Sequence, residues 1–257
     1  MTATPDYDAA LAQAAEIYPG LRIGRPGRAR GWPIVGPLLN VLRVKLSIDQ
    51  QGAEQVAPGP AVLVSNHQST WDPVVTVMST GWHVWAFTKA EWFEGPGAPF
   101  FRWVGQIPLR RGDEASTEWA LDMAARALAD GGMVGVYPEG TRGPSDSTLY
   151  RLHQRVLVPL MANNADVPVH AIVTTYATRG RRKLARVRIS ERLPIDPRTM
   201  SGEQMTVIIR ERIAALGHLT YVDQYAFVVK ARADRDARRA AESAAASEAT
   251  HGENDQH

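Results

Sequence analysis

Short apolar runs alternate with helix-length segments through the middle of this chain. That alternation limits the fold more than any other feature of the sequence. "AVLVS" at 61–65 follows Pro60 and reads as a buried strand, short and β-branched. "WHVWAFT" (82–88), "VGQIPL" (104–109), "MVGVYP" (133–138), "VPVHAIVTTY" (167–176) and "LARVRIS" (184–190) read as further strands. Asp72-Pro73 signals a helix through about Ser79, with Asp72 as its N-cap and Pro73 at the first helical position. The segment 113–132 is helical: its first turn is acidic, Trp119, Met123 and Ala127 recur at spacing four, and Gly131-Gly132 closes it. A helical segment near 150–163 and a Ser201-capped helix over 201–217 complete the pattern. The expected architecture is α/β: a single domain with a largely parallel or mixed central sheet flanked by helices, preceded by an N-terminal membrane-interfacial helical segment.

That N-terminal segment has its own signature. Residues 7–18 read as a short amphipathic helix ended by Pro19-Gly20. From Arg22 to Ile48 there is no acidic residue, whereas Arg22, Arg25, Arg28, Arg30, Arg43 and Lys45 flank an apolar run headed by Trp32. Such a stretch suits a helix lying on an anionic lipid surface, and equally a core helix with solvated arginines. At the other end, beyond about Lys230, the chain is rich in Ala, Arg and Glu and is expected to begin helical and end disordered. The expected divisions are 1–43 (basic, helical, membrane-surface), 44–230 (catalytic) and 231–257 (tail).

Composition removes several function classes. There is no cysteine among the 257 residues, so disulfides, thiolate metal sites and cysteine nucleophiles are excluded. A net charge of +2 is too small to imply a nucleic-acid partner. No window approaches the roughly 18 apolar residues that span a bilayer, and the first 20 residues do not read as a secretory signal.

Three strand ends carry chemistry, and in open α/β sheets sites form at strand carboxyl ends beside helix N-termini. In "VLVSNHQSTWD" (62–72), His67 lies just past a strand and Asp72 opens the next helix. An imidazole bonded through one nitrogen to a carboxylate keeps the other as a proton acceptor, the arrangement of a general base for an alcohol. The plainer reading is a helix cap and a surface histidine. In "VYPEGTRG" (136–143), a turn with Glu139, Gly140, Thr141 and Arg142 offers backbone N–H groups and a guanidinium to an anion, or is only a turn with a surface ion pair. In "GQIPLRRG" (105–112), adjacent Arg110 and Arg111 point opposite ways, so at most one faces the site. No recognisable metal motif accompanies these blocks, and no Gly-x-Ser-x-Gly nucleophile motif is present.

Taken in order, "NHQSTWD", "GQIPLRRG", "YPEGTRG" and "VPVHAI" resemble the four blocks of the glycerophospholipid acyltransferase family, over about residues 44–175. The resemblance implies that His67 is the base and Asp72 its partner. It places Arg111, Glu139, Gly140, Thr141 and Arg142 at the acceptor-binding positions and Pro168 in the last block. It implies no cofactor and no metal. It implies an acyl-CoA or acyl-carrier-protein donor, a lyso-phospholipid acceptor (1-acylglycerol-3-phosphate first), and a peripheral seat on the cytoplasmic face of the membrane. One departure stands out: where many members carry an aromatic-Lys-x-Gly stretch, this chain has "LYRLHQRVLVPL", leaving Arg151 or Arg155 as substitute cations. His170 stands where a proline is common and reads as a strand residue rather than a second base. Backbone N–H groups of the 66–73 turn, or the following helix N-terminus, are expected to stabilise an oxyanion. Transfer to another lysolipid or glycolipid, lipid-surface binding without turnover, and thioester hydrolysis are the competing expectations.

The aromatic residues cluster as well. Four of the seven tryptophans and four of the five phenylalanines fall between 82 and 103. The Gly- and Pro-broken "EWFEGPGAPFFRW" reads as an acyl-tunnel wall or an interfacial loop rather than a regular core element.

Overall fold

The computed structural model describes residues 6–23, 32–41, 46–179 and 182–254. Arg25, Arg28, Arg30, Arg43 and Lys45 of the basic N-terminal stretch lie outside the described residues.

Helices α1 (Asp8–Ile17) and α2 (Trp32–Val41) precede β1 (Leu46–Gln51) and β2 (Ala61–Ser65). Then come α3 (Asp72–Thr80), β3 (Val84–Lys89), α4 (Ala98–Trp103), β4 (Ile107–Leu109), α5 (Glu114–Ala129) and β5 (Met133–Val136). The chain continues through β6 (Thr148–Tyr150), α6 (Gln154–Ala162), β7 (Val169–Arg179) and β8 (Arg182–Arg192). It ends with α7 (Gly202–Gly217), β9 (Thr220–Val222) and α8 (Ala226–Asn254). Among the described residues, seven strands form one sheet in the order β1-β8-β7-β2-β5-β3-β4. Every pairing in it is parallel except β7 with β8. The β-α alternation read from sequence is therefore a mostly parallel, mixed α/β sheet.

β2 lies at the sheet centre, and all five of its residues are buried. Val62 and Val64 pack into a core that also holds Trp119, Met123, Leu157, Leu160 and Ile209. Ala61 and Leu63 face the opposite core, with Val75 of α3. Period-2 alternation thus buries both faces, which is why the strand reads as a continuous apolar run. α1 docks onto α5 through Trp119, whose indole N–H donates to the Ala10 carbonyl at 2.7 Å. Ser201 closes a full capping box with Gln204 at the start of α7.

Three local expectations change. Asp72 is not an N-cap. Trp71 holds that position, Asp72 is the first helical residue, and its carboxylate turns back to the preceding loop. β4 is shorter than its apolar run, because Gly105 turns the chain at φ +72 and the Trp85 ring occupies the space a Cβ would need, at 1.9 Å. The broken aromatic stretch forms a short 3-10 turn (Ala90–Phe93) and α4. Trp85 and Phe93 enter the core, whereas Trp92, Phe100 and Trp103 stay exposed. Ile34, Leu38 and Val41 of α2 are also exposed. Among the described residues no helix is long and apolar enough to cross a membrane. α8 continues as helix through the Ala/Arg/Glu-rich tail to Asn254.

Candidate active site

The site begins where β2 runs out. Asn66 is buried, and its amide copies a strand pairing: Nδ2 donates to the Thr174 carbonyl and Oδ1 accepts from the Thr174 N–H, both at 2.9 Å. The β2–β7 seam is thereby extended past the end of the strand, which sets the point at which the chain leaves the sheet.

His67 follows. Its Nδ1 lies 2.8 Å from Asp72 Oδ2. The same carboxylate oxygen accepts from the N–H groups of Gln68 (2.7 Å) and Ser69 (2.8 Å). The other oxygen accepts from the Tyr176 hydroxyl at 2.7 Å. Asp72 is 0% exposed, so its charge is carried by four donors in place of water. Because the carboxylate only accepts, His67 Nδ1 carries the proton and Nε2 is left as the proton acceptor. Burial, and then the nearby Asp72 charge, push Tyr176 and Tyr137 well above the usual phenol range, so both remain neutral hydroxyls. The Tyr137 ring lies against the imidazole with centroids 4.8 Å apart.

The turn after β5 grips the same histidine. The His67 N–H donates to Glu139 Oε1 at 2.8 Å, and the His67 carbonyl accepts from the Gly143 N–H at 3.2 Å. Glu139 Oε2 accepts from the Tyr150 N–H of β6 at 3.0 Å. Glu139 is 2% exposed, and burial raises its carboxyl to about 7 despite the two backbone donors. Gly140 takes φ +70 with the His153 ring against it; a Cβ there would lie 3.0 Å from Cδ2. Thr141 is half-buried and Arg142 is exposed.

The two arginines of the second block have different surroundings. Arg110 turns toward α1: its guanidinium donates to the Ile17 carbonyl at 3.1 Å and lies 5.2 Å from the centre of the Tyr18 ring. Arg111 is exposed. Together with Arg151 it acts on His153, which burial first and then these two charges hold below the usual imidazole range. Arg151 itself spans Asp223 (3.8 Å) and the Tyr225 ring (5.1 Å). His170 is buried, with Nδ1 3.0 Å from the Ser190 carbonyl oxygen, and stays a strand residue.

Two expectations are revised here. The N–H groups of 67, 68 and 69 are all committed to carboxylates, so this part of the turn does not serve an oxyanion. Glu139, placed by the resemblance among the acceptor-binding residues, directs both oxygens at backbone donors inside the fold. Sequence reasoning missed Asn66, Tyr137 and Tyr176 as parts of the site. Asn66 stood in the quoted block, but its partner is 108 positions away.

Comparison with known proteins fits this arrangement. A family model described as Acyltransferase matches residues 47–175, half of the chain. The chain belongs to the acyltransferase family. No curated protein sequence matches it. Among solved structures, this acyltransferase is similar to the crystal structure of the 1-acyl-sn-glycerophosphate (LPA) acyltransferase PlsC from Thermotoga maritima. The TM-score is 0.56 and the identity 20%, over 71% of this chain and 75% of that one. The likeness establishes a shared fold, and the family match covers all the residues named above from Asn66 to Thr174.

Proposed function

We propose that this acyltransferase moves a fatty acyl group from an acyl thioester, acyl-CoA or acyl-carrier protein, to the hydroxyl of a lyso-glycerophospholipid. The best-supported acceptor is 1-acylglycerol-3-phosphate, giving phosphatidic acid. The observation that carries this reading is the 2.8 Å His67–Asp72 bond on a fully buried, four-donor carboxylate. The solved structure it resembles is of an LPA acyltransferase, which supports the same acceptor class.

In this reading His67 Nε2 takes the proton of the acceptor hydroxyl while Asp72 stabilises the imidazolium that forms. The acceptor oxygen forms a bond to the thioester carbonyl carbon. The tetrahedral intermediate then collapses, the C–S bond breaks, and the thiolate leaves with the proton returned from His67. No enzyme-bound acyl group is needed. Base catalysis of this kind supplies roughly 10²–10⁴-fold. Arg142 and Arg111, exposed and without ion-pair partners among the described residues, bind the acceptor phosphate, with Gly140 and Thr141 shaping the turn beneath it. The exposed Trp92, Phe100 and Trp103, together with the apolar face of α2, seat the protein on the cytoplasmic leaflet without crossing it.

The test is thiol release from acyl-CoA against a panel of lyso-lipids, with the product identified by mass. His67→Ala is expected to abolish transfer while the fold survives, and Arg142→Ala chiefly to raise the acceptor KM. Thiol release that needs no acceptor would establish a hydrolase instead.

A further inference from the structure

The Glu-Gly-Thr-Arg turn does two jobs, and only its arginine end faces out. His67 is the pivot. Its N–H is held by Glu139 and its C=O by the Gly143 N–H, and its ring rests on Tyr137. One residue on, the Gln68 side chain donates to the Asp146 carbonyl. The segment 137–146 therefore brackets the peptide unit of the base on both sides. The bracket is anchored in turn: Glu139 Oε2 accepts from Tyr150, the last residue of β6, which pairs in parallel with β9. The Tyr150 ring packs so closely over Gly143 that a Cβ there would lie 2.4 Å from it.

The chemistry at position 139 is specific. Two backbone N–H groups converge from opposite sides, so the side chain must offer two acceptors. Gln offers one and turns an NH₂ toward the second N–H. Asp keeps both acceptors but is one methylene too short to span the 2.8 and 3.0 Å contacts to two separate segments, at His67 and Tyr150. A carboxylate 2% exposed is also poorly placed to meet an acceptor lipid.

We infer that Glu139 is a positioning residue, which fixes the main chain of His67 and couples it to the turn carrying Arg142. This rests on the reading of His67 as the base.

The experiment compares Glu139→Gln and Glu139→Asp with the unsubstituted protein and with Arg142→Ala. Misplacing a catalytic group by about 1 Å costs on the order of 10²-fold. Both Glu139 variants are therefore expected to lose roughly 10- to 100-fold in kcat with acceptor KM held within about twofold, whereas Arg142→Ala raises KM. A rise in acceptor KM at unchanged kcat in the Glu139 variants would make Glu139 an acceptor contact and overturn the inference. Hydrogen exchange of the peptides covering 62–72 and 145–155 gives a readout that needs no activity. Exchange should quicken in both peptides in Glu139→Gln, and unchanged exchange in that variant would equally refute the clamp. If the unsubstituted protein transfers no acyl group to any acceptor, the functional reading fails while the exchange result still decides whether Glu139 holds His67.

Discussion

Replacing Asp72 by Asn separates the charge of the pair from its geometry. The amide is isosteric with the carboxylate. Its oxygen can occupy the Oδ2 position and still accept from His67 Nδ1, Gln68 N–H and Ser69 N–H. The NH₂ then falls where Oδ1 was, facing the Tyr176 hydroxyl, which rotates to accept. The histidine tautomer survives, and weakening hydrogen bonds to a former charge costs about 1–2 kcal/mol of stability. What is lost is the attraction between carboxylate and imidazolium in the transition state. Two unit charges about 4 Å apart at an effective dielectric of about 20 attract by about 4 kcal/mol. The His67 side chain is 21% exposed, so water screens part of this. A remaining attraction of about 2–3 kcal/mol corresponds to a roughly 30- to 160-fold fall in kcat. The assay is steady-state thiol release with acyl-CoA and lysophosphatidic acid, run beside a thermal melt of the same preparation. Asp72→Ala, in contrast, leaves four donors without their acceptor and should lower Tm far more. A folded Asp72→Asn protein with kcat within threefold of the unsubstituted enzyme would refute the account of the base.

Three further outcomes follow from the same contacts. Tyr176→Phe removes the hydroxyl donor on Asp72 Oδ1 and should cost about 1.5–3 kcal/mol in denaturant unfolding, the range for a hydrogen bond to a charged group. Glu139 is raised to about 7 from 4.5, so the folded state binds its proton more tightly than the unfolded state. Its contribution to stability is therefore full below about pH 4.5 and is lost as pH rises through 7, a change on the order of 3 kcal/mol that should be absent in Glu139→Gln. Changing Trp92, Phe100 and Trp103 together to Ser should weaken binding to vesicles containing anionic lipid by roughly tenfold or more in co-sedimentation. Unchanged affinity would refute the proposal that these aromatic residues seat the protein on a membrane.

The sequence was most legible where one element carries its own pattern. β2, α5 and α7 show complete apolar periodicity or caps, and His67 and Asp72 are near enough in the chain for a loop to join them. Elements defined by a partner far away were silent. β6 and β9 are three residues each, too short for alternation to register, and each exists only because the other is there. β1, "LSIDQQ", is mostly polar because it borders the sheet and pairs on one side only. The motif wording pointed to Glu139 but not to its task, since that depends on where Tyr150 falls after an 11-residue excursion. Tyr176 lies 104 positions from the carboxylate it serves, and nothing around it in β7 marks it out.

The pairing of β6 with β9 bears on where this chain can be cut. The family match ends at residue 175, yet the hydroxyl on Asp72 comes from 176. The strand behind Glu139 is completed only at 220–222, and Tyr225 stacks on His153 further still. A fragment trimmed to the matched segment would keep every signature residue from 67 to 142 and lose the scaffolding that gives them their places. The smallest active piece should therefore extend past Tyr225.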